Sequence, residues 1–284
     1  MPLFDFAYIL RSPAYYADNA SFLEDLRAVR HAGFKAIELQ LKSPYDLEQP
    51  MLRRMLADEA LRLAGFQTGS AYRSQRLCLA SPDAATRRRT VDLLKRYVDL
   101  AAPFSAVVVF GLLQGTRADE GDTVMALERI RTDLAEIGDH ATAADVTVAI
   151  EPVNRYEADV FHNTVDQVVE TVRVIAKPSL AAMVDTFHVN IEERSQRSAI
   201  LDAESAIAHV HLSETNRGLF GTGHLDLREV FETLQDIGYA GTCSVGVYRE
   251  FPVFAQRCSH SSEAIKLAME SMSTEMLTTR RSER

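Results

Sequence analysis

The segment 145–157, DVTVAIEPVNRYE, carries the pattern on which the fold rests. Val146, Val148 and Ile150 are branched apolar residues that alternate with Thr147, Ala149 and Glu151. In an extended strand the two sets point to opposite faces. A strand apolar on one face, and small on the other until an acid ends the row, suits a closed sheet with helices outside and a filled interior. The same grammar recurs in LAAMVDT (180–186), where Ala181, Met183 and Asp185 form the inward row. It appears again in IAHVHLS (207–213), with Ile207, His209 and His211 inward.

Outward from these three, further β-rich runs occur at FAYIL (6–10), AIELQL (36–41), FQTGSAY (66–72), AVVVFGL (106–112) and TCSVGVY (242–248), which makes eight candidate strands. Between them lie stretches with apolar residues at i, i+3 and i+4, which predict helices over 21–33, 85–102, 123–141, 164–176 and 227–238. Several open after Asp, Ser or Thr and close at Gly, as capping requires. Strands recurring every 30 to 40 residues or so are the rhythm of β/α units. Eight such units predict a single-domain (β/α)₈ TIM barrel over 1–284, with a frayed tail from about 277. A doubly wound open sheet is the competing architecture.

Composition narrows the function. The chain has 284 residues, 46% of them hydrophobic, enough for a full core. A net charge of −9 argues against nucleic acid as a partner, because phosphate binding needs clustered Lys and Arg. The basic runs at 87–89 and at the C-terminus read as a solvated helix face and a tail. Cys78, Cys243 and Cys258 show no paired spacing, which points to a reducing compartment. No apolar run approaches the length of a membrane span, so a cytoplasmic protein is expected.

Glu151, Asp185 and His211 end consecutive strands on the inward side, at the barrel end where active sites sit. One alone would read as an ordinary polar strand end; three in succession read as a site. Two carboxylates and an imidazole suit Mn²⁺, Mg²⁺ or Co²⁺ with positions left open, better than a closed zinc site. Glu157, His188 and Arg217 lie in the loops that follow. His188 is placed to bond a substrate oxygen or to support a neighbour, and Arg217 to grip vicinal oxygens. His209, one layer deeper, is expected to be a satisfied core histidine, and GTGH (221–224) a plain glycine turn.

The motifs IEPVNRYE (150–157), VDTFHVNIEE (184–193), HVHLSETNR (209–217) and GTGHLDLREVFETLQDIGYAG (221–241) together resemble the xylose-isomerase-like sugar isomerase and epimerase superfamily. Within it they resemble ketose 3-epimerases of the D-tagatose/D-allulose type. The resemblance implies a divalent cofactor, Mn²⁺ foremost, held by Glu151, Asp185, His211 and a carboxylate on strand eight. It implies that Glu157, His188 and Arg217 hold sugar oxygens, that Glu151 is one of two catalytic bases, and that the assembly is a dimer or tetramer.

The strand-eight position of that pattern is Gly246, so a ligand and a base are both missing there. Glu250 is a weak substitute: four residues of strand span about 13 Å, so the chain would have to fold back. The glycine leaves three alternatives open. One is a one-base isomerisation or elimination, as in sugar lyases such as C-glycoside deglycosidase subunits; another is a substituted form of an ordinary epimerase. The third is a non-catalytic sugar-binding or partner subunit. Tyr8, Tyr72, Phe110, Leu112 and Gln114 are nominated to line the pocket.

Overall fold

A computed structural model describes residues 4–41, 43–249 and 253–282, with 273–282 described as backbone. The chain opens with β1 (Asp5–Arg11), α1 (Asn19–His31), β2 (Ala36–Gln40), α2 (Gln49–Asp58) and β3 (Arg62–Gln67). It continues through α3 (Ser70–Gln75), α4 (Ala84–Ala101), β4 (Val107–Phe110), α5 (Thr123–Ala143) and β5 (Val148–Ile150). Next come α6 (Val165–Ile175), β6 (Leu180–Asp185), α7 (Thr186–Glu192), α8 (Gln196–Ala203) and β7 (Ile207–Leu212). Last are α9 (Leu227–Asp236), β8 (Thr242–Val245) and α10 (Phe254–Ser282). All strand pairs are parallel, and β8 pairs with β1, which closes the barrel and excludes the open sheet.

Helix starts follow local chemistry. Asp18, Asp83, Asp122 and Asp226 each accept backbone N–H bonds at the N-termini of α1, α4, α5 and α9. Thr164 and Gln167 form a capping box on α6. Apolar helix faces and outward strand residues make one continuous layer between barrel and helices, from Phe22 and Leu26 around to Phe231 and Leu234. Two apolar clusters lie inside the barrel: Ala7, Ala36 and Ala64 in one, Val109, Ala149 and Met183 in the other.

Two strand readings need correction. The third strand covers 62–67 and not 66–72: it pairs with β2 and β4 only to Gln67, and Gly69 already has αR geometry ahead of α3. In β7 an irregularity falls where Ala182 pairs Ile207 but Met183 pairs His209. The extra residue changes the parity, so Ile207 joins the outer layer with Ala182, while His209 and His211 stay beside Met183 and Asp185.

Candidate functional site

β5, β6 and β7 deliver Glu151, Asp185 and His211 to one point. Glu151 directly follows β5, and its backbone N–H donates 2.8 Å to Phe110 O. The Gln114 side-chain amide donates 3.0 Å to Glu151 O from the other side. Gly111 makes room for the carboxylate: a β-carbon there would stand 2.5 Å from Glu151 Oε2. Asp185 is both the last residue of β6 and the cap of α7. Its Oδ1 accepts from Phe187 N–H at 2.9 Å, which leaves Oδ2 turned to the interior.

His211 is oriented from below. Its Nε2–H donates 2.8 Å to Oε1 of Glu38, and His209 Nε2–H donates 2.7 Å to Oε2 of the same carboxylate. Gln67 donates to Oε1 as well, at 2.8 Å. All three of Glu38, His209 and His211 are buried. Burial works against the Glu38 anion, but His211 and His209 hold its pKa well below the usual carboxylate range. With Nε2 engaged, His211 Nδ1 is a buried atom without a hydrogen-bond partner. It faces Glu151 Oε1 at 3.6 Å and Asp185 Oδ2 at 3.9 Å.

These separations are those of donors arranged around a shared cation, and one ligand atom from each residue lies within 4.8 Å of the others. Burial opposes the protonated His211 ring, yet Glu38 and Glu151 hold its pKa well above the ordinary imidazole value. Burial likewise pushes the Asp185 carboxyl up, and Arg217, His188 and His211 outweigh it, so Asp185 is held below its ordinary value. Glu151, Asp185 and His211 therefore fit a divalent metal, with a carboxylate-supported histidine of the kind metal sites use.

Around this centre stand Glu157, Arg217 and His188; the first two lie in loops, whereas His188, expected in a loop, lies in the first turn of α7. Arg217 Nη1 donates 2.9 Å to Asp185 Oδ2 and 3.1 Å to Ser213 Oγ. Its Nη2 lies 3.4 Å from Glu157 Oε2. The guanidinium is clamped between the rings of Phe187 (4.0 Å) and Tyr248 (4.6 Å). Its backbone adopts φ +61° and its carbonyl accepts N–H bonds from Tyr248 and Arg249. Glu157 also meets Arg73 at 3.3 Å.

His188 Nδ1 accepts from the backbone N–H of Asn154 at 3.1 Å, which assigns the ring proton to Nε2. That Nε2–H lies 3.1 Å from Arg217 Nη2, 3.8 Å from Asp185 Oδ2 and 3.9 Å from Glu151 Oε1. Two donors facing each other at 3.1 Å converge on a place suited to an oxygen acceptor. Above them opens a cavity of about 760 Å³ that reaches Glu151, Glu157, Asp185, His188, Arg217 and Tyr248. That volume is in the range of small-molecule sites.

Gly246 follows β8, beside this group. A β-carbon there would meet the Tyr248 ring at 2.8 Å, Ser213 Oγ at 2.9 Å and Ile9 at 3.3 Å. Glu250 lies outside the described residues. Of the nominated lining residues, Leu112 borders the cavity. Tyr8 packs against Phe34 and Phe254 and lines an adjoining cavity, whereas Tyr72 donates to Asp119. Phe110 belongs to the outer core, and Gln114 supports Glu151 from behind. Glu38, Asn154 and Gly111, which contact or make room for His211, His188 and Glu151, are positions that the sequence reading missed. Glu38 had a signal: a lone acid at inward parity inside the apolar run AIELQL.

Comparison with known proteins bears on the fold and the family. A family model described as xylose isomerase-like TIM barrel matches residues 26–274. A ketose 3-epimerase of Arthrobacter globiformis is 31% identical over 218 residues, covering 76% of this chain and 74% of its own. An L-ribulose 3-epimerase of Mesorhizobium japonicum is 32% identical over 221 residues, covering 77% and 73%. A solved L-ribulose 3-epimerase structure superposes with a TM-score of 0.83 at 27% identity, over 96% of this chain and 97% of its own. The chain belongs to the xylose isomerase-like TIM-barrel family, and within that family it is related to the sugar 3-epimerases.

Proposed function

We propose that the protein is a divalent-metal-dependent sugar isomerase/epimerase that moves a proton next to a ketose carbonyl, in the manner of a ketose 3-epimerase. The observation that carries this is the meeting of Glu151, Asp185 and His211 around the unpartnered Nδ1 of His211, under the paired donors of His188 and Arg217. A divalent cation, Mn²⁺ by preference, would be held by those three residues and supply charge stabilisation to the ketose oxygens.

The protein's own groups account for the rest. His188 Nε2–H and Arg217 Nη2 offer hydrogen bonds to a carbonyl or hydroxyl oxygen from one side. Glu157 is placed to orient Arg217 and to accept from a neighbouring hydroxyl. Glu151, which lines the cavity, is the carboxylate assigned to take the proton from the carbon beside the carbonyl. Return of the proton to the same face restores the starting sugar, whereas return to the opposite face inverts it. Gly246 supplies no carboxylate on that opposite face. We therefore infer that proton removal by Glu151 outpaces net inversion at carbon 3.

The test is incubation with L-ribulose, D-fructose and D-psicose, with and without Mn²⁺ and after EDTA. Metal-dependent turnover of one of them, restored by Mn²⁺ after chelation, supports the proposal. Binding of a ketose with neither turnover nor exchange of its carbon-bound hydrogen under any metal sinks it in favour of a binding subunit. The family resemblance extends the proposal to a homodimer or homotetramer, which light scattering would measure.

A further inference from the structure

A second cavity, of about 730 Å³, adjoins the first. Arg11, Tyr15, Gln40 and Tyr248 border both, so the two spaces share a wall at the ends of β1 and β2. Gly246 lines the second cavity, and the Tyr248 ring that leans over it stands at the boundary. A ketose whose carbonyl end sits at Glu151 thus has room for its far end beyond Tyr248.

Arg11, Arg73 and Arg217 border the first space; the second differs in how its cations are paired. Two guanidinium groups border it, Arg11 at the end of β1 and Arg257 in the first turns of α10. Neither makes an ion pair with a described residue, whereas Arg73 and Arg217 beside the first cavity face Glu157 and Asp185. Arg257 Nε is buried without a hydrogen-bond partner. The two side chains rest on aromatic rings instead, Arg11 at 5.6 Å from Tyr15 and Arg257 at 4.9 Å from Phe254. One acid lies nearby: Asp25, which accepts from Tyr16 Oη–H at 2.7 Å. Burial raises its pKa despite Tyr16 and Arg257, so it is a weak counter-charge. In a chain of net charge −9, two arginines without an ion pair among the described residues border this one cavity.

We propose that the second cavity is a subsite for an anionic terminal group, phosphate or carboxylate, on the substrate ketose, with Arg11 and Arg257 as its recognition elements. Guanidinium forks bind both groups by charge-assisted hydrogen bonds. The aromatic rests leave those forks pre-oriented, which lowers the ordering cost of binding. This subsite deepens the ketose assignment above and rests on it for the identity of the reacting end.

Calorimetric titration of the full-length, Mn²⁺-loaded protein tests it, with D-ribulose 5-phosphate, D-fructuronate and D-ribulose as probes. The expected result is that one of the two anionic ketoses binds about tenfold or more tighter than D-ribulose, and which one does so separates phosphate from carboxylate. The advantage should shrink about tenfold in Arg257→Met and in Arg11→Met, and should weaken with added salt. Arg11 is exposed, so its variant stays informative if the Arg257 change perturbs α10. Equal binding of all three ketoses, or an advantage that survives both substitutions, overturns the subsite. Solvent deuterium uptake by the sugars separates this from the parent reading. Anion-selective binding without uptake leaves the subsite standing and removes the epimerase, whereas uptake without anion selectivity does the reverse.

Discussion

Tyr248 leans across Gly246 so closely that a β-carbon on the glycine would stand 2.8 Å from its ring. The same ring covers the Arg217 guanidinium at 4.6 Å. The place where a strand-eight carboxylate would begin is thus occupied from the side by an aromatic edge, and Arg217 Nη1 answers the charge of Asp185. Gly246 does not have a positive φ, so its backbone accepts a side chain once the tyrosine ring and the Ser213 hydroxyl, 2.9 Å from that β-carbon, both shift.

Gly246→Glu is expected to raise Mn²⁺ affinity and to increase net epimerisation by a factor on the order of 10², the usual worth of a positioned acid or base. Adding Tyr248→Ala should enlarge the gain, because the ring no longer obstructs the new side chain. Affinity and turnover that both stay flat in the double variant would show that position 246 is not part of the catalytic group.

Glu38→Gln is expected to weaken Mn²⁺ binding about 10- to 100-fold, the usual cost of losing the partner that orients a metal-binding histidine. It should also lower the melting temperature, because two buried imidazoles lose their shared anion. Calorimetry and thermal melts read the two effects separately. A variant with unchanged metal affinity would mean that His211 is held by packing alone.

Gly111→Ala probes Glu151 without touching its chemistry. The added methyl would sit 2.5 Å from Glu151 Oε2, so the carboxylate has to turn away. The expected outcome is a fall in kcat on the order of 10²-fold, as for a displacement of about 1 Å, with an unaltered circular dichroism spectrum. Wild-type kcat in this variant would contradict the base assignment.

His162 gives a pH signature away from the site. Burial first, and then the charge of Arg131, lower its pKa from 6.5 to about 4. Its Nδ1–H donates to Gln114 Oε1 at 2.7 Å, and Nε2 accepts from Thr171 at 2.8 Å, so the folded state keeps the ring neutral. The unfolded chain binds a proton below about pH 6.5 that the folded one refuses until about pH 4. Stability is fully present above 6.5 and falls as the pH drops toward 4, with a slope of at most about 1.4 kcal/mol per pH unit from this residue. Denaturant melts of wild type and His162→Gln between pH 7 and 4 should differ in slope by roughly that amount. Parallel slopes would remove His162 from the pH dependence.

The barrel was legible because its rule is simple: parity along a strand states which face is inside, and an acid or imidazole closing the inward row of β5, β6 and β7 marks the rim. Arg217 and His188 were legible as polar residues next to that rim, though not that His188 stands in α7, nor the ring clamp that fixes Arg217, since Phe187 and Tyr248 come from distant segments. The place of Ile207 was misread because an inserted residue in one strand changes parity only through pairing with its neighbour, which composition does not encode. Glu38 was overlooked because its meaning depends on two histidines more than 170 residues away. The third strand was placed too late because FQTGSAY mixes β-formers with a glycine where the chain turns into α3.

The most direct test of the central claim is solvent exchange at the carbon next to the ketose carbonyl. The Mn²⁺-loaded protein in D₂O is predicted to place deuterium at carbon 3 of a bound ketose faster than it forms the epimer, and Glu151→Gln should lose this exchange. No deuterium at carbon 3 with wild-type protein, or equal exchange in Glu151→Gln, would contradict it.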